Sequence, residues 1–127
     1  MSLALAHFAF GAAMTTLLLL FLPQVRYPRT LVLGGGGWAM VPDLHWVSPI
    51  ASETLREIHR TSPLMDLFWL HRTLDRLDPT DSPAVAAGFL AALVVLTLVA
   101  ERRDYRAPAV VERAYRAYLY TDATDSE

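Results

Sequence analysis

Residues 83–100 read PAVAAGFLAALVVLTLVA, a run of eighteen residues without a formal charge. At about 1.5 Å per residue, a helix of this length comes close to the roughly 30 Å hydrocarbon core of a bilayer. Glu101 and Arg102 end the run. The run therefore predicts a transmembrane helix, and it sets the expected fold class, an all-α integral membrane protein.

A second uncharged run covers residues 4–22, and Pro23 follows it. It predicts the other clear transmembrane helix of a small helical bundle. A cleaved signal peptide is the rival interpretation. It is disfavoured because no basic residue precedes the run and because the bulky LFLP of residues 20–23 stands where small cleavage-site residues belong.

Between these runs lies a short apolar segment, residues 30–42, with four consecutive glycines. It is either a short helix that enters the membrane part-way or the middle of a longer span, residues 27–50. A crossing places the arginines that follow the first and last spans on the cytoplasmic side, with residues 43–82 outside. Four arginines within residues 43–82 oppose this orientation. The expected location is the cell membrane, with several passes and the lipid bilayer as partner.

Small residues recur at helical spacing on both clear spans. Ala84, Gly88 and Ala92 form one such face, and Gly11 and Thr15 lie on the other span. Faces of this kind let transmembrane backbones approach closely, so the two spans are expected to pack through them. The alternative is that they reflect an alanine-rich composition. The same faces suit a homo-oligomer or a membrane protein partner.

Three amphipathic helices are predicted at about residues 49–60, 63–78 and 108–120. Each begins at a proline, the first two in Ser-Pro pairs, and serine at the N-cap before proline is a helix-start signature. They are interpreted as interfacial helices. Residues 1–127 thus form a single membrane domain.

The composition excludes several functions. The chain has no cysteine, so disulfides and thiolate metal sites are ruled out. A formal net charge of -2 argues against nucleic acid as a partner. The glycines of residues 34–37 do not form a dinucleotide fingerprint, because Pro42 arrives before a full helix could follow.

Polar residues with metal-binding chemistry stand at the edges of the apolar segments. His71 and Asp75 are four residues apart on a predicted helix and therefore share a face. They are either metal ligands or a hydrogen-bonded pair. Asp43 and His45 share a side if the chain is extended, and could then bind one ion. Otherwise Asp43 caps a helix and His45 lies at an interface.

His7 lies near the outer end of the first span in the expected topology. That topology brings His7, Asp43, His45, His71 and Asp75 to one face of the membrane. Ionisable residues at membrane depth are costly, so a functional site is the default hypothesis. His59, which precedes Arg60, is expected to face solvent.

Three motifs resemble a family of small metal-dependent hydrolases of the bacterial and archaeal inner membrane, the LexA-binding, inner-membrane-associated hydrolases. They are HFAFG of residues 7–11, GWAMVPDLH of residues 37–45 and HRTLD of residues 71–75. Two positions depart from the family pattern: His45 replaces its second aspartate and Trp46 its next histidine. The second histidine of the late motif is also missing. The resemblance implies a divalent-metal site at a membrane face.

Two functions follow from the sequence. The first is a metal-dependent hydrolase of an ester or phosphoester. His7, Asp43, His45 and His71 are its expected metal ligands, and Asp75 is a further ligand, an outer partner of the ligands or a base. Zinc is the expected ion because histidine and carboxylate ligands suit it. The second is a non-catalytic membrane assembly partner, or a degenerate relative without metal, in which the polar residues are interhelical hydrogen-bonding groups.

Overall fold

The computed structural model describes residues 3–23 and 25–124, and all the regular secondary structure in this part of the chain is helical. Two 3₁₀ helices, Val41–Trp46 and Pro63–Leu67, accompany six α-helices. The α-helices are α1 Ala4–Leu19, α2 Pro28–Met40, α3 Ser52–Thr61, α4 His71–Leu77, α5 Pro83–Arg102 and α6 Ala109–Thr124. The all-helical expectation is confirmed.

Helix α1 lies between α2 and α5 and is the most buried helix of the bundle. Its contact with α2 is very close because both helices use glycine there. A Cβ on Gly11 would lie 2.6 Å from the Gly35 carbonyl oxygen, and a Cβ on Gly36 would lie 2.6 Å from the Phe8 ring. The glycine run of α2 is therefore helical, and half of it serves packing against α1.

Helices α1 and α5 also pack together, but not through the predicted faces. Phe10 and Phe89 meet edge to face, with ring centroids 5.1 Å apart. Gly88 would meet no atom within 4 Å if it carried a Cβ, and Ala84 and Ala92 are exposed. The prediction was wrong because Gly11 is already covered by α2 and Trp69, which leaves α5 to pack with its larger side chains.

Among the described residues, one helix, α5, is long and apolar enough to cross a membrane by length and composition. Helix α1 is apolar but has 16 residues and ends at Leu19, three residues before the predicted end at residue 22. Helix α2 has 13 residues. At about 1.5 Å per residue these two helices are about 24 Å and 20 Å long.

The segment between α2 and α5 differs most from the prediction. The expected helix 63–78 is divided into the second 3₁₀ helix and α4, because Trp69 and Leu70 adopt left-handed φ angles of 53° and 57°. Left-handed backbone cannot continue a right-handed helix. The expected start at residue 49 is also displaced, since Ser48 Oγ closes a local turn with Ile50 and α3 begins at Ser52.

The end of the bundle where α2 begins and α5 ends is held by an exposed ion pair and a small apolar cluster. Arg29, at the start of α2, donates two hydrogen bonds of 2.9 and 2.7 Å to Glu101, near the end of α5. Beneath this pair, Leu19 and Leu20 pack with Ala100 and Tyr105. We call this region the arginine end of the bundle.

Candidate metal centre

Five histidine and aspartate side chains meet at the other end of the bundle, and four helical elements supply them. They are His7 of α1, Asp43 of the first 3₁₀ helix, His59 of α3, and His71 and Asp75 of α4. They form two triads that share His71. The potential ligand atoms within each triad all lie within 4.8 Å of one another. We call these five residues the cluster.

Four atoms of the cluster lie close together: His59 Nε2, His71 Nε2, Asp43 Oδ1 and Asp75 Oδ2. The five separations that involve a histidine nitrogen are 2.9, 3.3, 3.4, 3.8 and 4.0 Å. Nitrogen and oxygen ligands lie about 2.1 Å from zinc, so tetrahedral ligand atoms are about 3.4 Å apart. The observed separations bracket that value, so the two histidines together with either carboxylate fit one small divalent ion.

The ring of His71 is oriented as metal-binding histidines usually are. Its Nδ1 donates a 2.9 Å hydrogen bond to the Ala39 carbonyl oxygen of α2, which leaves Nε2 pointing into the cluster. Metal ligands of this type almost always donate their second ring N–H to such a partner. The ring is fully buried. The left-handed Leu70 directly precedes it, and backbone strain of this kind is common at functional sites.

The electrostatics of His71 favour a positive charge between the carboxylates. Burial lowers the pKa of its imidazole, but the hydrogen bond and charge of Asp43, the Ala39 carbonyl and the charge of Asp75 together outweigh burial and raise the pKa above its ordinary value. A site that stabilises an imidazolium here also suits a metal cation, which replaces the proton when it binds.

His7 plays a different part from His71, although the two rings are stacked with centroids 3.8 Å apart. His7 Nε2 lies 3.1 Å from Asp75 Oδ1, while its buried Nδ1 has no hydrogen-bond partner among the described residues. If Nε2 bound a metal, Nδ1 would be a buried N–H without an acceptor, at a cost of about 1–3 kcal/mol. The geometry therefore favours His7 as a donor that orients Asp75.

His59 was expected to face solvent, and that prediction was wrong. Its side chain is 6% exposed, and its Nε2 lies 2.9 Å from His71 Nε2. The error came from reading His59 with its charged neighbour Arg60, although adjacent helix residues point about 100° apart. One signal could have found it: the topology that placed residues 43–82 beside His7 applied equally to His59.

His45 lies beside the cluster but belongs to neither triad. The extended backbone that would have aligned it with Asp43 is absent, because residues 41–46 form a 3₁₀ helix with about three residues per turn. Positions i and i+2 then point to different sides. His45 is buried, its Nδ1 donates to the Pro42 carbonyl, and its ring centroid is 4.9 Å from that of His59.

The predicted His7, Asp43, His71 and Asp75 are thus brought together. Only the carboxylates of the cluster are appreciably accessible, with Asp43 and Asp75 side chains 15% and 14% exposed against 0–6% for the three histidines. A molecule that approaches the cluster from outside therefore meets one of these carboxylates first.

Comparison of the chain with protein-family models, curated proteins and solved structures found no match. The resemblance to the inner-membrane hydrolases consequently stays a prediction from the motif residues.

Proposed function

We propose that the protein is an integral membrane hydrolase that uses a divalent metal ion, with zinc preferred, to cleave an ester or phosphoester. One observation carries the proposal: the buried His59 Nε2 and His71 Nε2 lie 2.9 Å apart, and each lies within 4.0 Å of a carboxylate oxygen of both Asp43 and Asp75. Three separate helical elements supply these residues. Structural ion pairs also bring such groups together. Two histidine nitrogens that face each other at 2.9 Å are, in addition, a pair that one metal ion can bridge once both are deprotonated.

In this proposal Asp43, His59, His71 and Asp75 bind the ion. The Ala39 carbonyl fixes the ring of His71, and His7 holds Asp75 by a hydrogen bond. A divalent ion bound there would lower the pKa of a coordinated water and polarise the substrate oxygen. Catalytic zinc sites keep three protein ligands and one open position, so one of the two carboxylates would have to leave room for the water.

The proposal also places the protein in the cell membrane as a multi-pass bundle, with α1 and α2 beside the α5 span. The outward residues of α2 support this arrangement because they are apolar: Leu31, Leu33 and Trp38 are all about half exposed or more. The cluster and the segment 41–77 then lie at one membrane face, where the ends of α1, α2 and α5 meet.

The test is metal content and turnover of the protein purified in mild detergent. We expect one zinc or manganese ion per chain in the wild type and little in Asp43→Ala or His71→Ala, because each variant removes a ligand from a different element. Arg29→Ala, at the far end of the bundle, is the matched control and keeps the metal. A metal-free wild type that gains no ion when zinc or manganese is added would overturn the proposal.

A non-catalytic assembly role is the second candidate. It is favoured by the exposed small-residue face of α5 at Ala84, Gly88 and Ala92, since such faces mediate helix association in membranes. Stoichiometric metal without hydrolysis of p-nitrophenyl acetate or bis-p-nitrophenyl phosphate, together with a stable oligomer in detergent, would favour this candidate over the hydrolase.

A further inference from the structure

An apolar groove of about 510 Å³ adjoins the cluster. It lies between the first residues of α1 and the first 3₁₀ helix, and Leu3, Ala4, Met40, Leu44, Trp46 and Val47 form most of its wall. Small-molecule sites in proteins commonly have volumes of about 300–1,000 Å³. The groove is thus large enough for a substantial apolar group.

The groove and the cluster share Asp43. This carboxylate lines the groove, while its Oδ1 lies 3.4 Å from His71 Nε2 on the cluster side. It is also one of the two cluster residues that are accessible from outside. An apolar chain in the groove would therefore bring the polar group attached to it directly to the cluster.

The position of the groove in the bundle matches the edge of a membrane. Asp81 lines its mouth and stands two residues before Pro83, where α5, the helix able to cross a membrane, begins. Trp46 and Val47 on its wall are 61% and 77% exposed. Exposed tryptophan is typical of the interface between hydrocarbon and water. Lipids are the apolar molecules most abundant at this level.

The charge of the groove restricts which lipid would bind. Its two ionisable lining residues in the described part of the chain, Asp43 and Asp81, are both acidic. An anionic headgroup beside them would be repelled, and no arginine of the described chain lines the groove to compensate. A neutral headgroup suits the site better.

We propose that this groove binds the acyl chain of a neutral, single-chain lipid ester and presents its ester carbonyl to the cluster. This inference rests on the proposed hydrolase function and names its substrate class. In the reaction, water adds its oxygen to the carbonyl carbon and the carbon–oxygen bond to the alcohol breaks. The alcohol oxygen takes one proton of the water, and the fatty acid leaves as a carboxylate with release of the other.

The test is photo-crosslinking in lipid nanodiscs with a monoacylglycerol that carries a diazirine on its acyl chain. We expect label on residues 40–47 in the wild type. Ala4→Phe and Val47→Trp fill the groove and should each reduce this label by at least about fourfold. That is the loss of affinity expected when the acyl chain can bury one methylene group less. The matched control is Ala87→Phe, an exposed alanine of α5 outside the groove, which should leave the label unchanged.

The alternatives give different results. Label spread evenly over the exposed face of α5, and unaffected by either groove variant, would mean contact with bulk lipid and would overturn the inference. Equal labelling by a diazirine lysophosphatidic acid, which has an anionic headgroup, would overturn the preference for a neutral headgroup. Groove-specific label in a protein that binds no metal would support the lipid site and contradict the hydrolase function. Metal-dependent hydrolysis of short esters without groove label would support the hydrolase function and contradict the lipid site.

Discussion

The two ends of the bundle use charged residues in opposite ways. At the arginine end, Arg29 and Glu101 form a well-aligned ion pair, but their side chains are 77% and 41% exposed. At the cluster end, three histidines are at most 6% exposed and surround two carboxylates. Exposed ion pairs cost little and contribute little, whereas the desolvation of buried charged groups can cost more than their mutual attraction returns. A stabilising role therefore does not account for the cluster, which fits a functional one.

The largest expected effect is on metal affinity, and it distinguishes His59 from the neighbouring His45. His59→Ala removes one of the proposed ligands, so the metal affinity should fall by more than about 100-fold, beyond the loss typical of an outer residue. His45→Ala, the matched control, removes a buried ring outside both triads and should change affinity by less than about tenfold. Competition with a chelator measures both. Equal losses would mean that the triads are misassigned.

Packing supplies the next largest effect, because the cluster depends on the close approach of α1 and α2. A Cβ on Gly35 would overlap the side chain of Thr15, with Thr15 Cβ only 2.8 Å away, so Gly35→Ala should destabilise the protein by about 1–3 kcal/mol. Gly34→Ala is the control: its Cβ meets no atom within 4 Å, and it should stabilise α2 by about 0.5–1 kcal/mol. Thermal unfolding in detergent measures both. A stabilising Gly35→Ala would contradict the packing.

A smaller effect is expected at His7, which orients Asp75 rather than binding the ion. His7→Gln can still donate a hydrogen bond to the carboxylate and should keep metal affinity within about tenfold, while His7→Ala should lose about 10- to 100-fold. His71→Gln provides the contrast and should lose the metal. If His7→Gln were as damaging as His71→Gln, His7 would be a ligand and the assignment based on its unpaired Nδ1 would fail.

The smallest effect is expected at the arginine end. Arg29→Gln removes the exposed ion pair, and the resulting drop in melting temperature should be slight and should shrink further at high salt, because exposed charges are screened. Metal affinity should not change. A loss of metal in this variant would show that the two ends are coupled through α2.

The apolar runs predicted the helices well, and spacing predicted one pair of cluster residues. His71 and Asp75 needed only helical periodicity, and their facing atoms lie 3.8 Å apart. The sequence could not show which of Asp43 and His45 faces the cluster, because whether two residues share a side depends on the backbone between them. A 3₁₀ helix turned Asp43 to the cluster and His45 away. The small-residue face of α5 was plausible, but the pattern could not reveal that α2 already covered Gly11.

The sequence by itself determined where the apolar helices lie and that chemistry-bearing residues stand at their ends. Both follow from local properties, namely hydropathy and spacing along one helix. Only the tertiary structure decided that His59 joins the cluster, that His7 faces Asp75 with one nitrogen unpaired, and that Asp43 is shared by the cluster and an apolar groove. These depend on how separate helices pack in space, since atoms up to 68 residues apart meet within about 3 Å.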